Sequence, residues 1–331
     1  MDTFRGKRVL ITGGLGFIGS NLARSLVRRG ALVTVADSLI PLYGGNPQNI
    51  ADIRSDIVVN VCDVRDRFAM EYLVQQQDYL FNLAGQTSHL DSMTDPQTDL
   101  DINASAQLSI LEACRKANPR VRLVFASTRQ LYGRPDYLPV DEKHPVRPVD
   151  VNGINKFAGE GYHLLYSSVH GIRASVLRLT NTYGPGMRVK DARQTFLGIW
   201  VRQLLEGQPI KVFGDGKQLR DFNFVDDCVD ALLRAAADDA AIGKVYNLGS
   251  SEVVSLGALA SMMTKLVEGG RFEIVPFPPE RKAIDIGDYY SDFSLIRREL
   301  AWSPGVDLQT GLARTLDYFR ANRQHYWDTT P

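Results

Sequence analysis

The chain has 331 residues, and its 38 Lys and Arg balance 38 Asp and Glu, so the formal net charge is zero. No overall field draws nucleic acid or an acidic membrane surface to it, and any anionic ligand must be held by a local pocket. Hydrophobic residues make up 44% and charged residues 23%, the composition of a globular chain long enough for two domains and a large core.

The elements alternate along the first half. "RVLIT" (8–12) is a short apolar strand-like run ended by glycines, and 17–30 has helical spacing at Ile18, Leu22 and Leu26, closed by Gly30. Segments 32–37, 57–61, 79–85, 122–127 and 173–179 read as further strands, with helices between them, clearest at 99–117 and 153–169. This alternation implies an α/β fold, a doubly wound parallel sheet covered by helices on both faces. The rest is less regular, with turns at 214–217, 247–250 and 276–280 and helices over 193–206, 225–237, 255–268, 294–300 and 308–322. No Gly/Ser or Pro-rich linker separates two halves, so a smaller C-terminal substrate domain (181–220 and 249–331) is expected to interleave with the larger one (1–180 and 221–248). Cys62, Cys114 and Cys228 are scattered and form no C-x-x-C or Cys/His cluster. No metal is expected. The first residues lack a signal-peptide pattern and no apolar run reaches the ~18 residues of a membrane span, so a soluble cytoplasmic protein is expected.

Gly13, Gly16 and Gly19 stand between the first strand and the first helix. Glycines there let the backbone turn sharply and approach a pyrophosphate, which the helix N-terminus attracts. A glycine pattern alone is weak, because turns use glycine anyway. Asp37 strengthens it: it ends the second strand 18 residues after Gly19, close to the spacing of an acid that binds an adenosine ribose. A carboxylate there accepts from the ribose hydroxyls and repels a 2′-phosphate, which favours NAD over NADP. Asp63 is placed to receive an adenine amino group, with Val64 beside the ring.

With "TGGLGFIGSNL", "CDVRD", "NLAGQTSH", "FASTRQLYG", "LRLTNTYGPGM", "GDGKQLRDFNFVDD" and "VYNLGS" in this order, the chain resembles the extended short-chain dehydrogenase/reductases of the nucleotide-sugar epimerase and dehydratase group. The resemblance covers nearly the whole chain. It implies a Rossmann-type sheet that binds NAD and a smaller domain that holds a nucleoside diphosphate sugar. It places Phe17, Ile18, Leu83, Ala84 and Gly85 along the cofactor and turns Gln86 to His89 toward the cleft, with Gln86 on the substrate. It puts the catalytic hydroxyl at Thr128, beside Ser127, and sets Lys156 on the nicotinamide ribose. Asn181, Arg188, Arg220 and Arg281 fall on the substrate side. Guanidinium forks suit phosphate oxygens, so Arg220 and Arg281 are expected on the diphosphate.

One position departs from the family. Its catalytic pair is Tyr-x-x-x-Lys, whose members share one helix face. Here the segment is "NGINK", so Asn152 stands where the tyrosine belongs. An amide is no base near neutral pH, but it can orient a hydroxyl or a water. Thr128 is then the relay and His89 the candidate base behind it. The acids that follow the threonine in the dehydratases are replaced by Arg129 and Gln130, so epimerisation leads by elimination. A related reductase, dehydratase or decarboxylase, or a silent protein that binds NAD and a nucleotide sugar, stays open. The helices 99–117 and 153–169 carry exposed-looking Leu108, Leu165 and Val169 and are expected to pair in a homodimer.

Overall fold

A computed structural model describes residues 3–193 and 195–327. From the N-terminus it runs β1 (Arg8–Thr12), α1 (Phe17–Arg28), β2 (Leu32–Asp37), β3 (Ile57–Val61), α2 (Arg67–Leu73), β4 (Tyr79–Asn82), α3 (His89–Thr94), α4 (Pro96–Leu100), α5 (Ala106–Ala117) and β5 (Arg122–Thr128). It continues with α6 (Val151–His170), β6 (Arg173–Leu179), β7 (Asn181–Tyr183), α7 (Phe196–Leu205), β8 (Ile210–Phe213), β9 (Leu219–Phe224), α8 (Val225–Ala237) and β10 (Val245–Asn247). The last part holds β11 (Val253–Ser255), α9 (Leu256–Lys265), β12 (Phe272–Val275), α10 (Pro279–Ala283), α11 (Ser294–Leu300) and α12 (Leu308–Asn322).

Seven parallel strands form the main sheet in the order β3-β2-β1-β4-β5-β6-β10. Its central strands are apolar on both faces: Val9, Leu10, Ile11, Leu80, Phe81, Val124 and Phe125 are all buried. The strand order reverses between β1 and β4, so the connections leave these neighbours in opposite directions and open a crevice beyond their carboxyl ends. The Thr12 hydroxyl clamps that point. It donates to Asn82 Oδ1 at 2.9 Å and accepts from the N–H groups of Leu83 and Ala84. Leu83 N also keeps a bond to the Thr12 carbonyl, but Ala84 N has turned to the hydroxyl, and β4 stops at Asn82 and not at 85. Outside this sheet, β7, β9 and β11 form a small mixed sheet and β8 pairs with β12. Between β9 and β11 the chain returns once to the main sheet through β10.

The helix expected over 99–117 is not uniform. Asp95 caps Thr98, Pro96 starts the helix, and residues Asp101–Ser105 form a π-helical turn before α5. The inserted turn is compatible with buried polar groups at Asp99, Asn103 and Gln107 facing α6 and the sheet. Helix α2 fills the expected helical stretch between β3 and β4, and α3 precedes α4 in the next one; both begin at side-chain caps, Asp66 and Ser88. All three cysteines are free thiols. Among the described residues no helix is long and apolar enough to cross a membrane, and no His/Cys/Asp/Glu group could hold a metal.

A buried ion pair ties the sheet to α6. Arg178 on β6 donates through Nε and Nη2 to Glu160, and Ser127 on β5 donates to the same carboxylate at 2.9 Å. Burial opposes the Arg178 charge, but Glu160 and the Tyr132 hydroxyl more than offset this and strengthen it. Glu160→Ala strands that guanidinium in the core. It is expected to cost about 3–5 kcal/mol, the scale for breaking a buried pair by removing one partner, in urea unfolding followed by circular dichroism. A loss below about 1 kcal/mol, the scale of a surface pair, would contradict this account.

Candidate active site

A single cavity of about 780 Å³ runs from the glycine loop past the ends of β4 and β5 to α10. One end of it is lined by Gly13, Gly16, Phe17, Ile18, Gly19, Asp37, Asp63, Val64, Leu83, Ala84 and Gly85, the residues expected on a cofactor. Gly13 has φ 70, a left-handed conformation, and a Cβ on Gly19 would sit 2.2 Å from the Gly13 carbonyl oxygen. Only glycine permits this tight loop. The α1 N-terminus has no side-chain cap, so its first N–H groups stay available to an anion. Asp37 Oδ2 accepts from Leu15 N at 3.0 Å and Oδ1 from Leu39 N at 2.9 Å. Burial raises its pKa against these N–H groups, and the bonds fix its direction. Asp63 is less free than expected, because Arg65 grips both its oxygens.

The centre of the cavity is organised by a carboxylate that does not line it. Asp99 is fully buried, with Oδ1 accepting from Asn155 Nδ2 at 2.8 Å and Oδ2 from Asn152 Nδ2 at 3.0 Å. Asn152 Nδ2 also donates to the Gln86 carbonyl at 2.8 Å. Both partners can only accept, so the amide orientation is determined. Asn152 lines the cavity and, with its nitrogen committed, offers its carbonyl there. Gln86 itself does not reach the cavity. Its amide donates to Ser88 O and its backbone oxygen holds Asn152 and Asn103, so the expected substrate contact is corrected to a positioning role.

One turn beyond Asn152, Lys156 reaches the same cavity. Its Nζ donates to Ala126 O at 3.2 Å and lies 5.0 Å from the Phe125 ring centroid. Burial pushes its pKa down to about 8, against the pull of Asp99. A Cβ on Gly85 would lie 2.8 Å from this nitrogen and 2.9 Å from Asn103 Oδ1, a buried acceptor with no partner. The glycine leaves that cradle open.

Thr128 and Gln130 line the wall at the end of β5. Gln130 Nε2 donates to Asp150 Oδ2, and Asp150 Oδ1 caps α6 through Gly153 N. His89 lines the cavity with Nδ1 3.0 Å from Asp150 Oδ2. That contact is close but off the line of a good hydrogen bond. Burial opposes ionisation of Asp150, yet His89, Gly153 N and Gln130 hold its pKa below the usual value. Asp99 carried no signal in the sequence, because it belongs to no local motif, while Asp150 is legible there only as a helix cap.

At the far end lie Asn181, Arg129, Arg220 and Arg281. Arg220 donates through Nη1 to the carbonyls of Leu219 and Gly287. Arg281 stands over the Phe213 ring at 5.6 Å. Arg188 is not brought to this cavity: it grips Asp191 with Nε and Nη2 and donates to Pro41 O, so its expected substrate role is corrected. Arg129, read in the sequence only as a missing acid, does line it.

The model of the NAD dependent epimerase/dehydratase family matches residues 9–249. A UDP-glucose 4-epimerase of Mycolicibacterium smegmatis is 32% identical over 320 residues, 96% of this chain and 100% of that protein. A UDP-N-acetyl-alpha-D-glucosaminuronate decarboxylase of Bacillus cytotoxicus is 31% identical over 326 residues, 95% of this chain and 98% of that one. Among solved structures, the UDP-glucose 4-epimerase of Thermotoga maritima with UDP-glucose superposes with a TM-score of 0.88 at 29% identity, covering 96% of this chain and 99% of that one.

The Lys156 environment makes a direct prediction. Its folded pKa, about 8, lies below the ordinary value of 10.5. The unfolded chain therefore binds more protons between those values, and this site's contribution to stability rises with pH across that window. A side-chain NMR titration of Lys156 is expected to give a midpoint near 8. A midpoint near 10.5 would rule out the buried, weakly compensated ammonium.

Proposed function

The chain belongs to the NAD dependent epimerase/dehydratase family, and from that premise we propose that it is an NAD-dependent epimerase acting on a nucleoside diphosphate sugar. The observation that carries this is the continuity of one cavity, with the glycine loop and Asp37 at one end, Arg220 and Arg281 at the other, and Thr128, Asn152 and Lys156 between them. The nucleotide end fits NAD: the loop admits a pyrophosphate, Asp37 is held to accept from a ribose, and the cradle at Gly85 offers Lys156 and the unpartnered Asn103 Oδ1 to a second ribose. When bound, NAD supplies the hydride acceptor and donor. Arg220 and Arg281 pair with the substrate diphosphate, and Asn181 stands between them and the reacting sugar.

The Asn152 carbonyl accepts from a sugar hydroxyl and orients it, which a tyrosine would do with its own proton. The proton moves instead at His89 Nε2, with Asp150 Oδ2 3.0 Å from Nδ1 holding the ring and Thr128 as the relay. Neither Arg129 nor Gln130 is a carboxylate, and the Gln130 amide is spent on Asp150. This wall therefore lacks the acid that eliminates water, which favours epimerisation over dehydration. Lys156, with its pKa near 8, is the second candidate for the proton transfer. We further propose the interleaved domain division set out from the sequence, and a homodimer through α5 and α6, where Leu108, Leu165 and Val169 are 37%, 52% and 63% exposed.

Four outcomes are expected. NAD binds more tightly than NADP, and Asp37→Ala narrows the gap; tighter NADP binding would remove the cofactor assignment. In a panel of UDP-, dTDP-, GDP- and CDP-sugars one donor turns over, and His89→Ala lowers its kcat by about 10²–10⁴, the usual range for a general base. Full turnover by His89→Ala would transfer the role to Lys156. Asn152→Tyr abolishes activity and does not restore an ordinary pair, because it takes a donor from buried Asp99; a gain of epimerase activity would instead mark the natural chain as a binder.

A further inference from the structure

We propose that Arg129 forms a second anion subsite, next to the diphosphate pocket of Arg220, which takes the carboxylate of a sugar acid, so that the substrate is a nucleoside diphosphate hexuronate. This rests on the nucleotide-sugar function above and narrows it.

Arg129 follows Thr128 directly at the end of β5, so it enters the cavity from the wall that faces the reacting sugar. Its Nη2 donates to Asn181 Oδ1 at 2.9 Å, and its guanidinium carbon lies 5.0 Å from the Tyr289 ring centroid. Its Nη1 is out of solvent and has no hydrogen-bond partner. Asn181 spends its own nitrogen on Asp221 O, so it presents only a carbonyl to Arg129 and aims it. Among the described residues no carboxylate lies within ion-pair distance of Arg129. The charged groups nearest it are committed elsewhere. Asp221 accepts from the Thr180 hydroxyl and from Ser291 N. Asp285 accepts from Gln218 Nε2 and Gly287 N and stands 3.7 Å from Arg220 Nη2.

Two guanidiniums therefore share this end of the cavity, and of the two only Arg220 has a carboxylate, Asp285, at ion-pair distance among the described residues. Burial, and then the neighbouring Arg129, push Arg220 down to about 9. Burial likewise lowers Arg129. An unpaired buried cation is unfavourable until a ligand supplies its partner. The diphosphate accounts for Arg220 and Arg281. The third guanidinium calls for a third anion, and a neutral hexose has none. A carboxylate is planar and takes two parallel N–H groups, the geometry a guanidinium fork offers.

Calorimetry on the purified protein with NAD tests this in two steps. UDP, dTDP, GDP and CDP first identify the donor base. The hexose and hexuronate of that nucleotide are then titrated into the wild type, Arg129→Gln and Arg129→Lys, with unfolding midpoints as the check on folding. The wild type is expected to bind the hexuronate about 10-fold or more tighter than the hexose, the scale of one charged hydrogen bond. Arg129→Gln removes that preference and leaves the bare nucleoside diphosphate and the hexose within about 2-fold of wild type, well inside one such bond. Arg129→Lys keeps the charge without the fork and falls between the two. Equal affinity of the wild type for hexose and hexuronate overturns the inference. So does an equal loss for the bare nucleoside diphosphate in Arg129→Gln, which places the arginine on the phosphates. If none of the four nucleotides binds, the proposed function itself fails and this inference fails with it; binding without hexuronate preference removes this inference alone.

Discussion

A carboxylate with no access to water must have its lone pairs filled, and Asp99 fills its two oxygens with the amides of Asn152 and Asn155. Much of the site's geometry follows from those bonds. They commit the Asn152 nitrogen, so that its carbonyl is what the cavity receives. They join α4 to the start of α6. They also set a negative charge near Lys156, which partly offsets the burial that weakens the ammonium. The asparagine at the position of a tyrosine is thus one member of a satisfied polar set, rather than a gap in an otherwise intact site.

The cavity itself has a topological origin. Parallel strands whose connections diverge must leave space at their carboxyl ends, and the reversal between β1 and β4 does so where the glycine loop turns into α1. The Thr12 hydroxyl holds the loop after β4 against that turn, and the absence of a side chain at Gly13, Gly19 and Gly85 keeps the floor open. The main sheet thereby presents a rigid, apolar base with backbone donors at one end.

The opposite end is electrostatically incomplete. Arg220 rests on backbone carbonyls with Asp285 3.7 Å away, and Arg281 lies over an aromatic ring. Arg129 stands beside them with one nitrogen unpartnered. Around Arg178 the same chain neutralises a buried guanidinium with Glu160. At the cavity, Arg129 has no such partner among the described residues.

The strands and helices around the sheet were legible in the sequence because their periodicity is local: β1, β2, β3 and β6 and the helices α8, α11 and α12 fall where the apolar spacing places them. The nucleotide end was legible for the same reason, since Gly13, Gly16, Gly19 and Asp37 are linked by a fixed strand–turn–helix geometry. The sequence also identified Asn152 as a departure from Tyr-x-x-x-Lys. It could not say what that amide touches, because Asp99 lies 53 positions away and is brought near only when the helix carrying it packs on α6. Nor could it show that Arg188 and Gln86 stay out of the cavity, or that Arg129 lines it. Those outcomes depend on which way a side chain leaves a loop and which partner it meets first: Asp191 for Arg188, Ser88 O for Gln86, Asn181 for Arg129. Local pattern determined the framework and the cofactor end, while the pairing of charges between distant segments, decided only by tertiary packing, determined what the centre of the cavity offers to a substrate.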